Sequence, residues 1–540
     1  MLLPLTTPYG LWALDVLGGL AAVWLAYKVV QHILRRSRTT PLTGPPNPNW
    51  LLGVGRQVEK SPDPALMYEQ WSETYGPVYR VPATLGFSRV VLCDPKAILH
   101  FYSHETFGYV QTELMKRSIE NIVGKGVLWA EGESHKRQRK ALTPAFSNAA
   151  IRQLTSVFFD SAHKVKAAWD GILDSTSGDS EVLEVQSWMN HVSLDSVGIA
   201  GFSHDFGILH GKQPLVATTF DSFGHLKPSI LSSLTFILGL AIPALTKIPT
   251  TFRRLIRQLN SSMGEIADEL LNNMRKESEG EGNEKGGDRS IIGLLIRAEN
   301  SDSELHMSQE EVMAQMKTLI LAGYETTSIS LTWCLVELCK KPETQMKLRE
   351  ELSQFSGSDP TWDQLTHQLP YLDAVVHETL RLHPPLGETT RQATADDIIP
   401  LSMPMRIATG ELTSQIAIAK GQVVTVPIHC MNRATAFWGP NAKEFVPERW
   451  LTDDGIPGRA QEIQGHRHLL TFVDGPRICL GRGFALAEFK AVLSVLIRNY
   501  AFGFRDGPGT KIETVRGILP RPSVAGEKGA RVPLRIRRLE

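Results

Sequence analysis

Residues 472–481 read Phe-Val-Asp-Gly-Pro-Arg-Ile-Cys-Leu-Gly, which sets Cys479 inside a frame of Phe472, Gly475, Arg477 and Gly481. A lone cysteine cannot complete a structural metal site, which takes three or four thiolates or imidazoles. It does suffice as the axial ligand of a haem iron, because the porphyrin supplies the other four bonds. The neighbours suit that task. Gly475 and Gly481 let backbone pass close to a flat macrocycle and adopt turns closed to other residues. Arg477 presents a fork that meets a carboxylate such as a haem propionate. Backbone N–H groups around the sulfur tune its electron donation. Taken alone, the cysteine also reads as a buried thiol beside a turn.

The frame fills every fixed position of Phe-x-x-Gly-x-Arg-x-Cys-x-Gly, and there the chain resembles the cytochrome P-450 family of thiolate-haem monooxygenases. A second motif, Ala322-Gly323-Tyr324-Glu325-Thr326-Thr327, lies in an apolar segment from about Met307 to Cys339 that reads as one helix. Ala322 and Thr326, four apart, share a face. Gly323 removes bulk beside them and opens a groove for a diatomic ligand. A mid-helix threonine bonds the carbonyl four residues back, here Ala322, and distorts the helix locally. A carboxylate and a hydroxyl at such a groove relay protons, which dioxygen activation needs. By itself the motif reads first as a capping box or an exposed Glu-Thr pair on an amphipathic helix. The resemblance makes Thr326 the oxygen-pocket threonine and Glu325 its acidic partner.

Glu378 and Arg381 stand three apart on a helix expected from about Pro370 to Leu382, and can pair on one face. Such pairs are common on solvated helices. With Pro447-Glu448-Arg449-Trp450, which is similar to a family element, the resemblance implies a buried network of Glu378, Arg381 and Arg449. Its role is structural: it locks the loop before Cys479. Glu133-Ser-His-Lys-Arg-Gln-Arg-Lys140 reads as a basic helix face. The resemblance assigns His135 and Arg139 to a haem propionate, and Arg391 to another propionate contact. Lys136, Arg137 and Lys140 remain as a docking patch for an acidic electron donor.

These residues need elements to hold them. The chain has 540 residues, long for one core, with 42% hydrophobic and 21% charged residues. Lys+Arg 57 balances Asp+Glu 57, and no basic stripe interleaved with aromatics points to nucleic acid. Cys93, Cys334, Cys339, Cys430 and Cys479 show neither a metal-site doublet nor disulfide spacing, which fits a reducing compartment. Short alternating stretches at Val78–Val81 and Arg89–Cys93 read as strands, and most of Ser118 to Glu350 reads as helix. The resemblance implies a mainly α fold with small β-sheets, an α+β arrangement in one catalytic domain over residues 51–540.

Ahead of that domain, Leu11 to Val30 is apolar apart from Asp15 and Lys28, and about 20 residues span a bilayer. Trp12, Trp24 and Tyr27 suit the interface, and Arg35, Arg36 and Arg38 mark the cytoplasmic side. We expect a membrane anchor over residues 1–34 and a basic, proline-rich hinge over residues 35–50. Ile230–Ile248 reads either as a kinked core helix or as a membrane-dipping segment. Lys276–Asp288 reads as a charged surface loop. Asn260-Ser-Ser262 matches a glycosylation sequon by chance.

The resemblance implies insertion of one oxygen atom of O2 into a lipophilic small molecule, such as a terpenoid or other secondary metabolite of fungal type. The cofactor is haem b. No dinucleotide fingerprint is present, so electrons come from NADPH through a partner reductase. The implied place is the endoplasmic reticulum membrane, with the catalytic domain in the cytosol. The implied pocket draws on the region after Ser103, Phe202–Leu245, Leu319–Gly323, Leu386–Thr390 and Ile518–Leu519. The alternatives are a thiolate-haem isomerase or dehydratase, and a non-enzymatic membrane haem-binding protein. The intact Gly323–Thr326 motif argues against the former.

Overall fold

The structure, a computed structural model, describes residues 37–176, 179–225, 248–280, 291–299, 305–355 and 357–539, with positions 19, 23 and 30. Apart from those three positions, the anchor expected over residues 1–34 lies outside the described residues. So does the Ile230–Ile248 run, apart from Ile248 itself. By internal contacts the chain divides into two compact units. One holds residues up to His104 with Gly108–Val110 and Thr390–Val426; the other holds Glu105–Phe107, Gln111–Thr389 and Pro427–Glu540.

The strands of the first unit are β1 (Val78–Pro82), β2 (Ser88–Leu92), β3 (Tyr109–Val110) and, beyond β4 (Ser180–Glu184) of the second unit, β5 (Thr389–Ala393), β6 (Asp397–Arg406), β7 (Leu412–Ile418) and β8 (Val423–Val426). β1, β2, β8, β5 and β3 form a five-stranded sheet in that order. β1 runs antiparallel to β2 with Val78 opposite Leu92, and β2 runs parallel to β8 with Arg89 opposite Val423. The two strands expected from alternation are thus β1 and β2. Each carries two valines, and Val78, Val81, Val90 and Val91 are buried. Two flanking helices, Pro64–Tyr75 and Pro95–Ser103, start in the same way. A proline opens each, and the preceding aspartate (Asp63 or Asp94) accepts from free N–H groups of the first turn.

The second unit is mainly helical. Its principal helices are α1 (Gly132–Leu142), α2 (Asn148–Ser175), α3 (Val185–Phe202), α4 (Thr251–Gly280), α5 (Gln309–Lys340), α6 (Pro370–Leu382) and α7 (Arg482–Asn499). Two small sheets accompany them. β4 pairs with β12 (Pro533–Arg538), which pairs with β9 (Tyr500–Phe504); β10 (Ile512–Arg516) pairs with β11 (Pro520–Val524).

α5 is the central element. Ser308 and Glu311 close a capping box at its start, and Pro342 follows its end. By length and composition it is apolar enough to cross a membrane, but 67% of its apolar window is buried in the protein, so it is a core helix. α3 packs on α5, and α2 packs on α7. The edge-on pair Phe158–Phe484, 4.8 Å between centroids, fixes the start of α7 directly behind the cysteine loop. Trp169 is buried against Tyr500 and ties α2 to β9.

One expected loop is partly helix. α4 continues through Gly280, so Lys276–Gly280 are helical where a loop was expected. Lys and Glu are good helix formers, and they extend the pattern until the glycines accumulate.

Candidate functional site

The cysteine loop is built before it is filled. Gly475 opens a short 3-10 turn at φ 67°, in the left-handed region that favours glycine. Val473, a β-branched residue, also sits at φ 61°, a strained conformation that the surroundings must hold. They do so through hydrogen bonds. Cys479 N–H donates to the Phe472 carbonyl at 2.8 Å. Leu470 N–H donates to Asn432 Oδ1 at 3.0 Å, and Asn432 Nδ2 donates to Thr471 Oγ1 at 2.8 Å. Thr471 Oγ1 donates to the Leu380 carbonyl of α6 at 2.7 Å. Phe472 is buried, edge-on to His466.

Cys479 alone among the five cysteines is exposed. Its thiol is nevertheless walled by protein, and burial pushes its pKa up; the Gly481 N–H, Arg139 and Arg482 pull it down. A thiol that solvent reaches but protein surrounds lies at the floor of a recess. Gly481 is the cap of α7, so the helix N-terminus points at the sulfur and favours the thiolate. By contrast, burial pushes the enclosed Cys334 thiol up to about 12.

Arg139 of α1 faces this recess. Burial lowers its pKa, and Cys479 and Arg477 are the charges that bear on it. Its guanidinium makes no hydrogen bond or ion pair with the described residues, so a half-buried cation is left for an anion from outside the chain. His135, one turn earlier on α1, is buried. Arg477 has partners within this chain. The carboxylate it meets is Glu131 of this chain, and it also donates to the Ala130 carbonyl. Arg391 lies on β5 in the first unit and donates to the Thr390 carbonyl at 3.0 Å. The recessed thiol of Cys479, the spare cation of Arg139 and the tight turn at Gly475 fit a flat, anionic, thiolate-ligated haem.

On α5, Thr326 Oγ1 donates to the Ala322 carbonyl at 2.8 Å. That bond alone does not single it out, because Thr318, Ser328 and Thr332 do the same. Exposure does. Thr318, Ser328 and Thr332 are buried, and Met313, Lys317 and Leu321 are part-exposed on another stripe, whereas Leu319, Ala322, Gly323 and Thr326 are accessible to solvent together. This spacing is one helix face, and it marks the open side of α5. Gly323 has a different task from the one expected. A Cβ there would lie 2.3 Å from Val197 Cγ2 of α3, so this glycine admits the neighbouring helix rather than widening a groove.

Glu325 points elsewhere than Thr326, since adjacent helical residues diverge by about 100°. It is buried and bound by Arg521 of β11. Burial pushes its carboxyl up, and Arg521 pulls against that. Arg521 also lies over the Tyr324 ring, which stacks on Phe220, and Tyr324 Oη donates to Asp221 Oδ1 at 3.3 Å.

The structure brings Glu378, Arg381 and Arg449 together. Arg381 donates Nε–H and Nη2–H to the two Glu378 oxygens, both at 2.8 Å, and Arg449 Nε donates to Oε1 at 3.0 Å. Sequence reasoning missed the rest of this cluster: Val446 N–H and Trp450 Nε1 also donate to Glu378, and Arg381 donates to the Asn432, Ala442 and Glu444 carbonyls. The proposed docking patch loses a member. Arg137 is committed to Glu311 in the capping box of α5 and to the His306 carbonyl, while Lys136 and Lys140 are exposed. Asn260 uses its amide to donate to the Asn121 and Ile122 carbonyls, which leaves its sequon no free nitrogen. A cavity of about 520 Å³ in the first unit, lined by Leu52, Arg56 and Lys60 among others, contains none of the site residues.

Comparison with known proteins follows the same lines. A family model described as cytochrome P-450 matches residues 43–524. The chain is 62% identical over 535 residues to cytochrome P-450 monooxygenase claQ of Ampulloclitocybe clavipes, covering 98% of this chain and 99% of the relative. It is 61% identical to claP of the same fungus, over 98% of both chains. It is also 31% identical to a ganoderic acid synthetase of Ganoderma lucidum, over 90% of this chain and 92% of that one.

Proposed function

We propose that this chain, which belongs to the cytochrome P-450 family and is a monooxygenase, oxidises a lipophilic product of fungal secondary metabolism at the recess floored by Cys479. One observation carries the reading: Cys479 is the exposed cysteine, yet protein encloses its thiol beside the unpaired guanidinium of Arg139.

When bound, haem b supplies the redox chemistry, splitting dioxygen between substrate and water with electrons from NADPH through a separate reductase. The residues of this chain do the rest. Cys479 would hold the iron as thiolate, with the Gly481 N–H and the α7 N-terminus stabilising its charge. Arg139 and His135 would take a propionate. The open face of α5 presents the Thr326 hydroxyl to the reacting side. That hydroxyl delivers protons to the reacting side, whereas Glu325, turned away and held by Arg521, keeps the neighbouring turn in place. Ala322 and Leu319 leave an apolar wall for a lipophilic substrate.

The relatives support the substrate class, since one bears the name of a ganoderic acid synthetase. An anchor over residues 1–34 on the endoplasmic reticulum membrane would present the catalytic domain to the reductase. The test is reconstitution of the haem-loaded full chain with an NADPH-dependent reductase, followed by product analysis on terpenoid candidates. Oxygenated products that require both NADPH and O2 are expected. Rearranged products formed without NADPH would instead indicate an isomerase.

A further inference from the structure

Glu131 stands at the N-cap of α1, in extended backbone. A side chain there commonly accepts from the free N–H groups of the first turn. A glutamate can do this: Glu184 at the start of α3 accepts from the Gln186 and Ser187 N–H groups. Glu131 makes no such bond. Its carboxylate turns away from the helix and serves two other segments. Oε2 accepts from Arg477 Nη2 in the cysteine loop. Oε1 accepts from the Gln111 N–H at 2.8 Å. Gln111 is itself buried and fixed, because its side-chain amide donates to the Leu128 carbonyl. The backbone of Gln111 thus holds one oxygen of Glu131 and aims the other at Arg477.

The Glu131–Arg477 pair is shielded from water, with 14% of the Glu131 side chain and 7% of the Arg477 side chain exposed, so solvent screens it little. Breaking such a pair strands a charge and is costly, which keeps the geometry fixed. The pair also sets the charge beside Cys479. The charges of Cys479 and Arg477 both bear on Arg139, so the three groups lie close together. Glu131 cancels the Arg477 cation and leaves Arg139 as the spare one. Reduction adds one negative charge to a bound haem, so an uncancelled cation nearby favours the reduced state and an anion opposes it.

We propose that Glu131 is a positioning residue for the haem: it holds Arg477 in a neutral pair and thereby keeps the bound haem harder to reduce. It acts through Arg477 and is not a catalytic residue. This role rests on the Cys479 recess being the haem site, and it places control of the charge there in a residue outside the cysteine loop.

Spectroelectrochemical titration of the haem-loaded full chain reads the midpoint potential without turnover. The thiolate carbon monoxide band is recorded first; a wild type that binds haem without that band overturns the reading of the site, and this role with it. With the band present, Glu131→Gln should shift the midpoint in the positive direction, since the amide keeps the shape but not the charge. Arg477→Gln should shift it in the negative direction, because Glu131 is then uncancelled. A purely structural role predicts instead the same sign for both variants, or lower thermal stability with no shift in potential. If Arg477→Gln does not retain haem, Glu131→Lys takes its place and should shift the midpoint further positive than Glu131→Gln. An unchanged potential in Glu131→Gln, a positive shift in Arg477→Gln, or no further shift in Glu131→Lys overturns the role while leaving the haem site standing.

Discussion

Replacing Thr326 with Ala removes the hydroxyl from the open stripe of α5 while leaving its helix intact, since the Ala322 carbonyl keeps its backbone partner. More hydrogen peroxide and less product per NADPH are expected, with haem content unchanged; unchanged coupling would count against a proton role for this hydroxyl. Arg139→Gln removes the spare cation of the recess. A charge-assisted hydrogen bond contributes about 1.5–3 kcal/mol, so haem transfer to apomyoglobin should be at least roughly tenfold faster than in wild type. At this scale the sequence was most legible where chemistry is contiguous. Cys479 and its frame span ten positions, and the Ala322–Thr326 bond is a local consequence of helix geometry. It was least legible where partners are remote: Glu325 meets Arg521, which lies 196 residues away, and no local pattern announces that pairing.

The elements explain which expectations shifted. Gly323 belongs to the same motif as Thr326, but its free side faces α3, a contact that helical periodicity cannot assign to one neighbour. Gly323→Ala should therefore destabilise by about 1–3 kcal/mol through overpacking against Val197, as read by thermal unfolding. Adding Val197→Ala should recover much of the loss; no recovery would place the constraint elsewhere. The pairing of α6 with the Pro447–Trp450 turn was legible from two short motifs, whereas the Asn432 and Trp450 contacts were not, because neither residue carries a distinguishing spacing. Breaking this buried set is expensive: Glu378→Gln leaves two guanidinium groups short of their counter-charge. A loss of about 3–5 kcal/mol is expected, with reduced haem incorporation because Asn432 links the set to the cysteine loop.

Across the whole molecule, acid stability reports on the far end of α5. Burial alone would raise the Glu337 carboxyl, but His383 and Lys340 outweigh it and hold the pKa at about 2, below the ordinary 4.5. A depressed carboxylate contributes stability above its unfolded pKa and loses it as pH falls through the folded value. The wild type should thus lose stability between about pH 4.5 and pH 2, and Glu337→Gln should flatten that limb in acid denaturation. Helix content and the order of motifs were legible along the chain, but the division into two compact units was not, because the first unit gathers segments separated by some 280 residues between Val110 and Thr390. The central claim is that Cys479 supplies a thiolate to haem iron in this fold. The carbon monoxide difference spectrum of the reduced, purified full chain tests it most directly, beside that of Cys479→Ala. The account predicts the red-shifted Soret band of thiolate-ligated haem in wild type and its loss in the variant. The same band in Cys479→Ala, or haem-loaded wild type without it, would contradict the account.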